Sequence, residues 1–281
     1  MKTKRNFVWP AVAVIAVGAW APSAHGALIT MPVEGWVVHN GTSTVSNGGT
    51  DAPTFTPGDN ITAMGAFPGI ELTNDGDYLT FSTTLTMVGR STTGAATLNT
   101  QLRVGLFDGP SGVVVANDVP NLGFIIEYTA AAGGGLIREQ TSPTQQNPFT
   151  SPTNIGNGSA DTDTIAGANP PPVLFELTLT RNGGALDLTG TISGGSHLAN
   201  YSVLGYSSAT FPLNGTFNFN RIGLFLGDGV NATSASLADA KIVTNVPEPS
   251  SCMLAAFMAV ASALVGRRAR RTPNRRTTVR R

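Results

Sequence analysis

Residues 78–88 read YLTFSTTLTMV, and this alternation of apolar and polar side chains decides the fold of the chain. Leu79, Phe81, Leu85 and Met87 share one parity, while threonine or serine occupies most positions of the other. Successive side chains of a β-strand point to opposite faces, so the pattern predicts a strand with one face in a core and the other in solvent.

The same alternation recurs in residues 101–107, 173–180 and 186–192. Between the last two runs lies Arg181-Asn182-Gly183-Gly184, which predicts a hairpin turn because glycine readily adopts the positive φ that tight turns require. These strands follow one another at short intervals along the chain, which is typical of antiparallel sheets.

Residues 216–226 change phase, since Phe217 and Phe219 share one parity and Ile222 and Leu224 the other. This change predicts a β-bulge near Asn220 and Arg221. Residues 236–244 then look like the closing strand. No stretch between these strands holds an apolar period of 3.6, so helical crossovers are not expected. The sequence therefore predicts an all-β body, an antiparallel two-sheet β-sandwich of the jelly-roll or concanavalin-like kind, over residues 27–246.

The last 36 residues carry a three-part pattern. Val-Pro-Glu-Pro-Ser-Ser comes first, at residues 246–251, followed by an apolar run and an arginine cluster at Arg267, Arg268, Arg270 and Arg271. Residues 250–266 are 17 residues without a charge, the lower limit for a transmembrane helix across a hydrocarbon core of roughly 30 Å. The arginines are expected to stay in the cytoplasm, which places the body on the far side of the membrane.

This tail resembles the PEP-CTERM sorting signal of bacterial exported proteins, whose three parts are recognised by an exosortase. The resemblance implies that Pro247, Glu248 and Pro249 are the sorting motif, that the helix is a temporary anchor, and that the product is released or attached at the cell surface. It covers residues 247–271, and the further basic tail at residues 272–281 is longer than the pattern needs. A permanent tail anchor is the alternative.

The N-terminus carries a second export pattern. Lys2, Lys4 and Arg5 form a charged region, residues 7–20 are mostly apolar, and Ala24-His25-Gly26 is a small-residue cleavage site. Residues 1–26 are therefore predicted to be a signal peptide.

Removing both signals changes the charge of the chain, which is balanced overall at 17 basic and 17 acidic residues. Residues 27–246 keep six basic and 16 acidic residues, a net charge of −10. Such a body disfavours nucleic acid and anionic membrane surfaces, and is compatible with binding cations or neutral polysaccharide. The single cysteine, Cys252, lies in the predicted anchor, so no disulfide is expected in the body.

Residues 102–109, LRVGLFDG, and the terminal run at 235–243 resemble strands in the concanavalin-like or laminin-G-like sandwiches of other PEP-CTERM proteins. The likeness covers residues 36–243. It implies a fold and supplies neither a ligand nor an activity.

Residues 140–172 differ from the rest, with six prolines among 33 residues and little apolar content. This composition predicts a disordered insertion without a core strand, the alternative being a functional lid.

Acidic turns make calcium a candidate cofactor, because calcium takes several oxygen ligands from such loops. Asp75 and Asp77 are the candidate ligands, since both precede the well-patterned strand. No run has the EF-hand spacing, and aspartate is also an ordinary turn residue.

Catalytic chemistry is restricted to carboxylates, because residues 27–246 contain no cysteine and only His39 and His197. Glu127 and Glu139 are the candidate pair, since a hairpin centred on Gly133 would set them opposite one another across two strands. The alternative is that both are surface residues.

The sequence thus predicts an exported, non-enzymatic protein of the cell surface or extracellular matrix, with an exosortase as processing partner and exopolysaccharide as a further partner. Membrane contact is expected only through the C-terminal helix before processing. Two alternatives stay open: a polysaccharide-cleaving enzyme, or a lectin-like carbohydrate-binding module. The module would need exposed rings from the tryptophan and tyrosine residues of the body, which are Trp36, Tyr78, Tyr128, Tyr201 and Tyr206.

Overall fold

The computed structural model describes residues 28–40, 43–90, 101–110, 114, 119–129, 134–159, 165, 167–194, 197–208, 217–227 and 229–246. Within these ranges no helix is long and apolar enough to cross a membrane. The predicted signal peptide at 1–26, the sorting signal at 247–271 with its helix at 250–266, and the basic tail at 272–281 lie outside the described residues.

The described residues form fifteen strands, numbered in chain order. They are β1 (Ile29–Pro32), β2 (Glu34–Asn40), β3 (Thr44–Ser46), β4 (Thr54–Thr56), β5 (Ile61–Leu72), β6 (Tyr78–Val88), β7 (Gln101–Asp108), β8 (Leu122–Thr129), β9 (Gly134–Gln140), β10 (Thr153–Asn157), β11 (Val173–Asn182), β12 (Ala185–Gly194), β13 (His197–Tyr206), β14 (Phe217–Leu226) and β15 (Ser234–Thr244).

The strands form two sheets. Sheet A has the order β13-β12-β11-β6-β15-β4-β3, with β1 also paired to β15, and sheet B has the order β10-β9-β8-β7-β14-β5-β2. Every neighbouring pair is antiparallel. The predicted all-β, antiparallel two-sheet sandwich is therefore confirmed.

The strand that decides the fold, β6, lies inside sheet A between β11 and β15. Its buried and half-buried positions alternate along the strand, with Leu79, Phe81, Leu85 and Met87 in the core. The inner faces of the two sheets share this core. The body has no cysteine, so burial of apolar side chains, and not a disulfide, stabilises the fold.

Two local features predicted from the sequence are present. The β11–β12 hairpin turns at Gly183 and Gly184, and Gly183 has a φ of 62°. The pairing of β14 with β5 shifts register between Phe219 and Arg221, at the place where the apolar parity changes. Between the pairs Phe219–Ile70 and Arg221–Ala66, residues 67–69 of β5 lie opposite Asn220 alone, and Phe219 and Ile222 on either side of this bulge are both buried in the core.

Sheet B buries apolar side chains on both of its faces. A second cluster lies on its outer face, away from sheet A, and consists of Met64, Phe107, Val114, Ile125 and Phe149. Of these, Phe149 comes from the connection between β9 and β10, residues 141–152, which we call the strap. The strap therefore folds over the outer face of sheet B.

Residues 140–172, predicted to be a disordered insertion without a core strand, contain β10, which pairs with β9 at the edge of sheet B and has no buried position. The strap before it is tied down by Gln140, whose side-chain amide donates to the backbone oxygens of Pro148 at 2.8 Å and Thr150 at 3.0 Å. Burial of the Phe149 ring and the two hydrogen bonds from Gln140 offset part of the cost of ordering this polar segment. Residues 160–164 and 166 of the predicted insertion lie outside the described residues.

Candidate functional site

The strap is seated in a depression of sheet B that glycine creates. Gly105 on β7 and Gly223 on β14 lie directly opposite each other. A Cβ atom on Gly105 would lie 2.5 Å from Cζ of Phe107, and one on Gly223 would lie 2.8 Å from Cζ of Phe149. The two rings meet edge to face, with centroids 5.7 Å apart and planes at 89°. Any larger residue at either glycine would displace a ring.

Beside this depression three charged side chains meet, and we call Arg103, Glu127 and Arg138 the arginine–glutamate cluster. Arg103 on β7 lies directly opposite Glu127 on β8, with its Nε 3.1 Å from Oε2 of the glutamate. The Nε of Arg138 on β9 donates to the same oxygen. Thr129 Oγ1 donates to Oε1 at 2.9 Å. Both oxygens of the Glu127 carboxylate are thus used.

The cluster also holds the strap. Nη1 of Arg103 donates to the backbone oxygen of Phe149 at 2.8 Å, and Nη1 of Arg138 lies 3.4 Å from the backbone oxygen of Pro152. The guanidinium of Arg103 also stacks over the ring of Phe225, 5.0 Å from its centroid. Burial lowers the pKa of Arg103, and the negative charge of Glu127 acts in the opposite direction.

The three members of the cluster differ in exposure. The Glu127 side chain is 3% exposed, against 14% for Arg103 and 22% for Arg138. The carboxylate is therefore covered, and most of the accessible surface of the cluster belongs to the two arginine side chains.

Glu139 has a different environment. Its Oε2 accepts a hydrogen bond of 2.6 Å from the hydroxyl of Tyr206, and its Oε1 accepts one from the hydroxyl of Ser208. Burial raises the pKa of Tyr206, and the hydrogen bond and charge of Glu139 raise it further. This carboxylate is buried between the sheets, where Tyr206 of β13 also meets Phe124 edge to face.

The structure does not bring Glu127 and Glu139 together. Strands β8 and β9 form the predicted hairpin, but Glu127 pairs with Leu136 and Glu139 pairs with Phe124. The predicted pairing of Glu127 with Glu139 is therefore wrong, because the observed register differs from it by three residues. Because an odd shift reverses the face, Glu127 lies on the outer face of sheet B and Glu139 on its inner face.

The candidate calcium ligands are part of a turn. Oδ2 of Asp77 accepts from the backbone nitrogens of Thr73 at 2.9 Å and Asn74 at 2.7 Å, while Oδ1 of Asp75 accepts from the nitrogen of Gly183 at 2.7 Å. The two carboxylates thus hold different turns. Among the described residues no group of three or more histidine, cysteine, aspartate or glutamate side chains could hold a metal ion. Calcium binding stays a prediction.

The tryptophan and tyrosine rings do not form an exposed platform. Trp36, Tyr128 and Tyr201 are buried, and Tyr78 and Tyr206 are half-buried. The aromatic side chains of the outer face of sheet B are phenylalanines, which sequence reasoning did not single out. The sequence contains one indication of charge on this face. Arg103 lies between Leu102 and Val104, at a position of β7 whose side chain points away from the core.

Three other arginines serve backbone groups. Arg90 donates through Nε to the backbone oxygen of Val230 at 2.9 Å, and Arg221 through Nη2 to that of Pro110 at 2.7 Å. Arg181 donates through Nη1 to the oxygen of Leu72 at 2.7 Å. Within the described residues the arginine–glutamate cluster is the place where arginine meets a carboxylate at salt-bridge distance.

No family model and no curated protein matches this chain. Among the solved structures with a distant likeness to this chain are one carbohydrate recognition domain and two lectins. The potassium-bound carbohydrate recognition domain of Emp46p is 11% identical over 75% of this chain and 88% of its own, with a TM-score of 0.44. The basic winged bean lectin with Tn-antigen is 8% identical, over 79% and 99%, with a TM-score of 0.45. The Bauhinia forficata lectin in complex with GalNAc is 10% identical, over 79% and 99%, with a TM-score of 0.43.

All three TM-scores are below 0.5, so these likenesses carry no conclusion about this chain. The two-sheet sandwich rests on the strand pairing of the chain itself. The concanavalin-like or laminin-G-like identity of the body stays a prediction.

Proposed function

We propose that this chain is an exported, non-enzymatic protein of the cell surface or extracellular matrix, whose β-sandwich body is delivered by a C-terminal PEP-CTERM signal. Two sequence patterns support export: the N-terminal charged and apolar regions with a small-residue cleavage site, and the Pro247-Glu248-Pro249 motif followed by an apolar run and arginines. An exosortase is the processing partner that this proposal requires.

The observation that carries the non-enzymatic part is the separation of Glu127 and Glu139. A glycosidase needs two carboxyl groups about 5 to 9.5 Å apart that flank one scissile bond. These two lie on opposite faces of sheet B, and the hydrogen bonds of each hold neighbouring structure. Substrate therefore cannot lie between them while the sandwich is intact.

A second candidate function is carbohydrate binding on the outer face of sheet B. The observation that favours it is the half-exposed ring of Phe225, which lies beneath the guanidinium of Arg103. Gln101 and Thr129, which lie opposite each other on β7 and β8, add polar side chains to the same face of the sheet. Sugar sites combine an apolar ring surface with a few fixed polar groups, and this surface offers both.

Intact-mass measurement on the exported chain tests the sorting proposal. The surface form is expected to lack residues 1–26 and the arginine-rich end of the chain. A surface chain that still ends at Arg281 would contradict sorting by an exosortase.

Incubation of the same exported form with a panel of polysaccharides tests the rest. Co-sedimentation without new reducing ends supports a binding protein. If neither co-sedimentation nor new reducing ends are detected, a structural role in the matrix remains. New reducing ends that disappear in both Glu127→Gln and Glu139→Gln would overturn the non-enzymatic proposal.

A further inference from the structure

We infer that the arginine–glutamate cluster is a binding subsite for the anionic group of an acidic polysaccharide, with Arg138 as the contacting residue and Glu127 as a positioning residue. This inference rests on the carbohydrate-binding candidate function and names its ligand class. Four observations carry it.

The first observation is the charge of the body. Residues 27–246 carry a net charge of −10 with only six basic residues, so their overall field repels a polyanion. An anionic chain can be held only where positive charge is concentrated locally. Two of the six basic residues meet at one carboxylate in the cluster, which leaves a local charge of +1.

The second observation is the layering of the cluster. Glu127 is covered, at 3% exposed, while Arg138 is 22% exposed. The carboxylate accepts hydrogen bonds from Nε of Arg138 and from Nη2 of Arg103, which orients both guanidinium groups from below. A buried anion that orients two cations without shielding their outer edges is the arrangement that recognition of a second anion requires.

The third observation is the donor capacity that remains. Arg138 uses Nε on Glu127 and Nη1 at 3.4 Å from the oxygen of Pro152, and its Nη2 makes no hydrogen bond within the described residues. Arg103 has less to offer, because its Nη atoms already meet Phe149, Gln101 and Glu127. A guanidinium edge matches the two oxygens of a carboxylate or sulfate, so Arg138 is the contacting residue.

The fourth observation is the aromatic surface next to the charge. The ring of Phe225 keeps part of its surface exposed, and it packs against the buried ring of Phe149, with centroids 5.8 Å apart and planes at 32°. One sugar of a polysaccharide can contact the part of the Phe225 ring that Arg103 and Phe149 leave exposed, while a carboxylate on another sugar of the same polymer reaches Arg138. A neutral sugar would gain only hydrogen bonds between a charged and a neutral group, which are weaker than ion-paired ones.

The test measures binding of the full exported chain to three soluble polymers: polygalacturonate, which carries carboxylates, dextran sulfate, which carries sulfates, and dextran, which carries no charge. Polygalacturonate is expected to bind at low salt, and its affinity should fall as salt rises, because charge pairing drives the contact. Dextran sulfate distinguishes a general anion site from one shaped for a uronic acid. Tighter binding of dextran than of both charged polymers would overturn the inference.

Arg138→Gln is the informative variant and Lys241→Gln its matched control. Both remove one positive charge, but Lys241 lies on β15 of sheet A, away from the cluster. Affinity for polygalacturonate is expected to fall by about tenfold or more in Arg138→Gln, the loss of a hydrogen bond to a charged group, and to stay nearly unchanged in Lys241→Gln. Equal losses in the two variants would contradict a local site.

A third variant distinguishes direct contact of Arg138 with the ligand from a purely structural role of this residue. Arg138→Lys keeps the charge and loses the planar edge, so intermediate affinity with unchanged melting temperature indicates direct contact. Affinity that only follows the melting temperature across the variants would contradict the subsite. If no polymer binds the wild-type chain, the carbohydrate-binding function fails with it, whereas binding of dextran alone rejects only the anionic subsite.

Discussion

A Cβ atom placed on Gly223 would lie 2.8 Å from Cζ of Phe149, so Phe149 of the strap occupies the space that a side chain at position 223 of β14 would need. This relationship joins a residue inside sheet B to one 74 positions earlier in the sequence. It also explains how a polar, proline-rich segment becomes part of the fold. The absence of side chains at Gly105 and Gly223 thus determines the shape of the outer face of sheet B.

Gly223→Ala is expected to lower the free energy of unfolding by about 1 to 3 kcal/mol, because the new methyl group would overlap the rings of Phe107 and Phe149. Denaturant titration measures the loss, and limited proteolysis should cut the strap sooner than in the wild type. Gly69→Ala on β5 is the matched control, since its Cβ would have 3.6 Å of clearance to the nearest atom. Equal effects of the two changes would show that the strap is not seated by Gly223.

Glu127→Gln keeps the shape of the side chain and removes its charge. Arg103 and Arg138 would then face each other without a counter-charge, so stability is expected to fall by about 1 to 3 kcal/mol, a value reduced from that of a fully buried pair because both arginines are partly exposed. Glu176→Gln on the exposed face of β11 should change stability by less than about 0.5 kcal/mol. Chemical unfolding of both variants at low and high salt gives the comparison.

Asp108 provides a prediction about pH. Burial raises the pKa of its carboxyl, and the hydrogen bond from Asn218 and the charge of Arg221 act in the opposite direction. A carboxyl whose pKa is higher in the folded than in the unfolded state binds its proton more tightly when folded. Its contribution therefore favours the folded protein at low pH, and stability is lost as pH rises from the unfolded pKa of about 3.9 to the folded one.

Asp108→Asn removes this pH-dependent loss. The variant is expected to be more stable than the wild type near neutral pH, with the difference shrinking as the pH falls through the acid range. The hydrogen bond from Asn218 can be kept, because the asparagine side chain still offers an oxygen. Unfolding curves at several pH values measure the difference, and a constant difference at all pH values would contradict this origin.

Asp77→Ala is expected to lower the free energy of unfolding by about 1 kcal/mol, since its carboxylate accepts hydrogen bonds from two backbone nitrogens of its own turn. The loss should be the same with and without calcium if the turn is the only role of this residue. Thermal melts in millimolar calcium and in chelator decide the matter. A calcium-dependent rise in melting temperature that Asp77→Ala abolishes would support the predicted calcium site.

Local patterns allowed the fold class to be predicted. The alternation in β6 and β11, the glycines of the β11–β12 turn and the parity change in β14 each depend on a few neighbouring residues. A strand places its side chains by a period of two, so the sequence determines which of them share a face. Arg103 and Glu127 could both be assigned to polar positions in this way.

Only the tertiary structure decided which residues meet. The register of β8 against β9 is set by the hairpin centre, and a shift of three residues was enough to separate Glu127 from Glu139 by the full thickness of a sheet. Composition predicted that the strap would be disordered, because one phenylalanine among polar residues has little apolar surface to bury on its own. Phe149 is buried because two glycines on strands distant in the sequence leave room for it, and such a contact is absent from any local pattern. The sequence by itself thus determined the strands and their faces, whereas long-range packing decided the register, the covered face and the arginine–glutamate cluster.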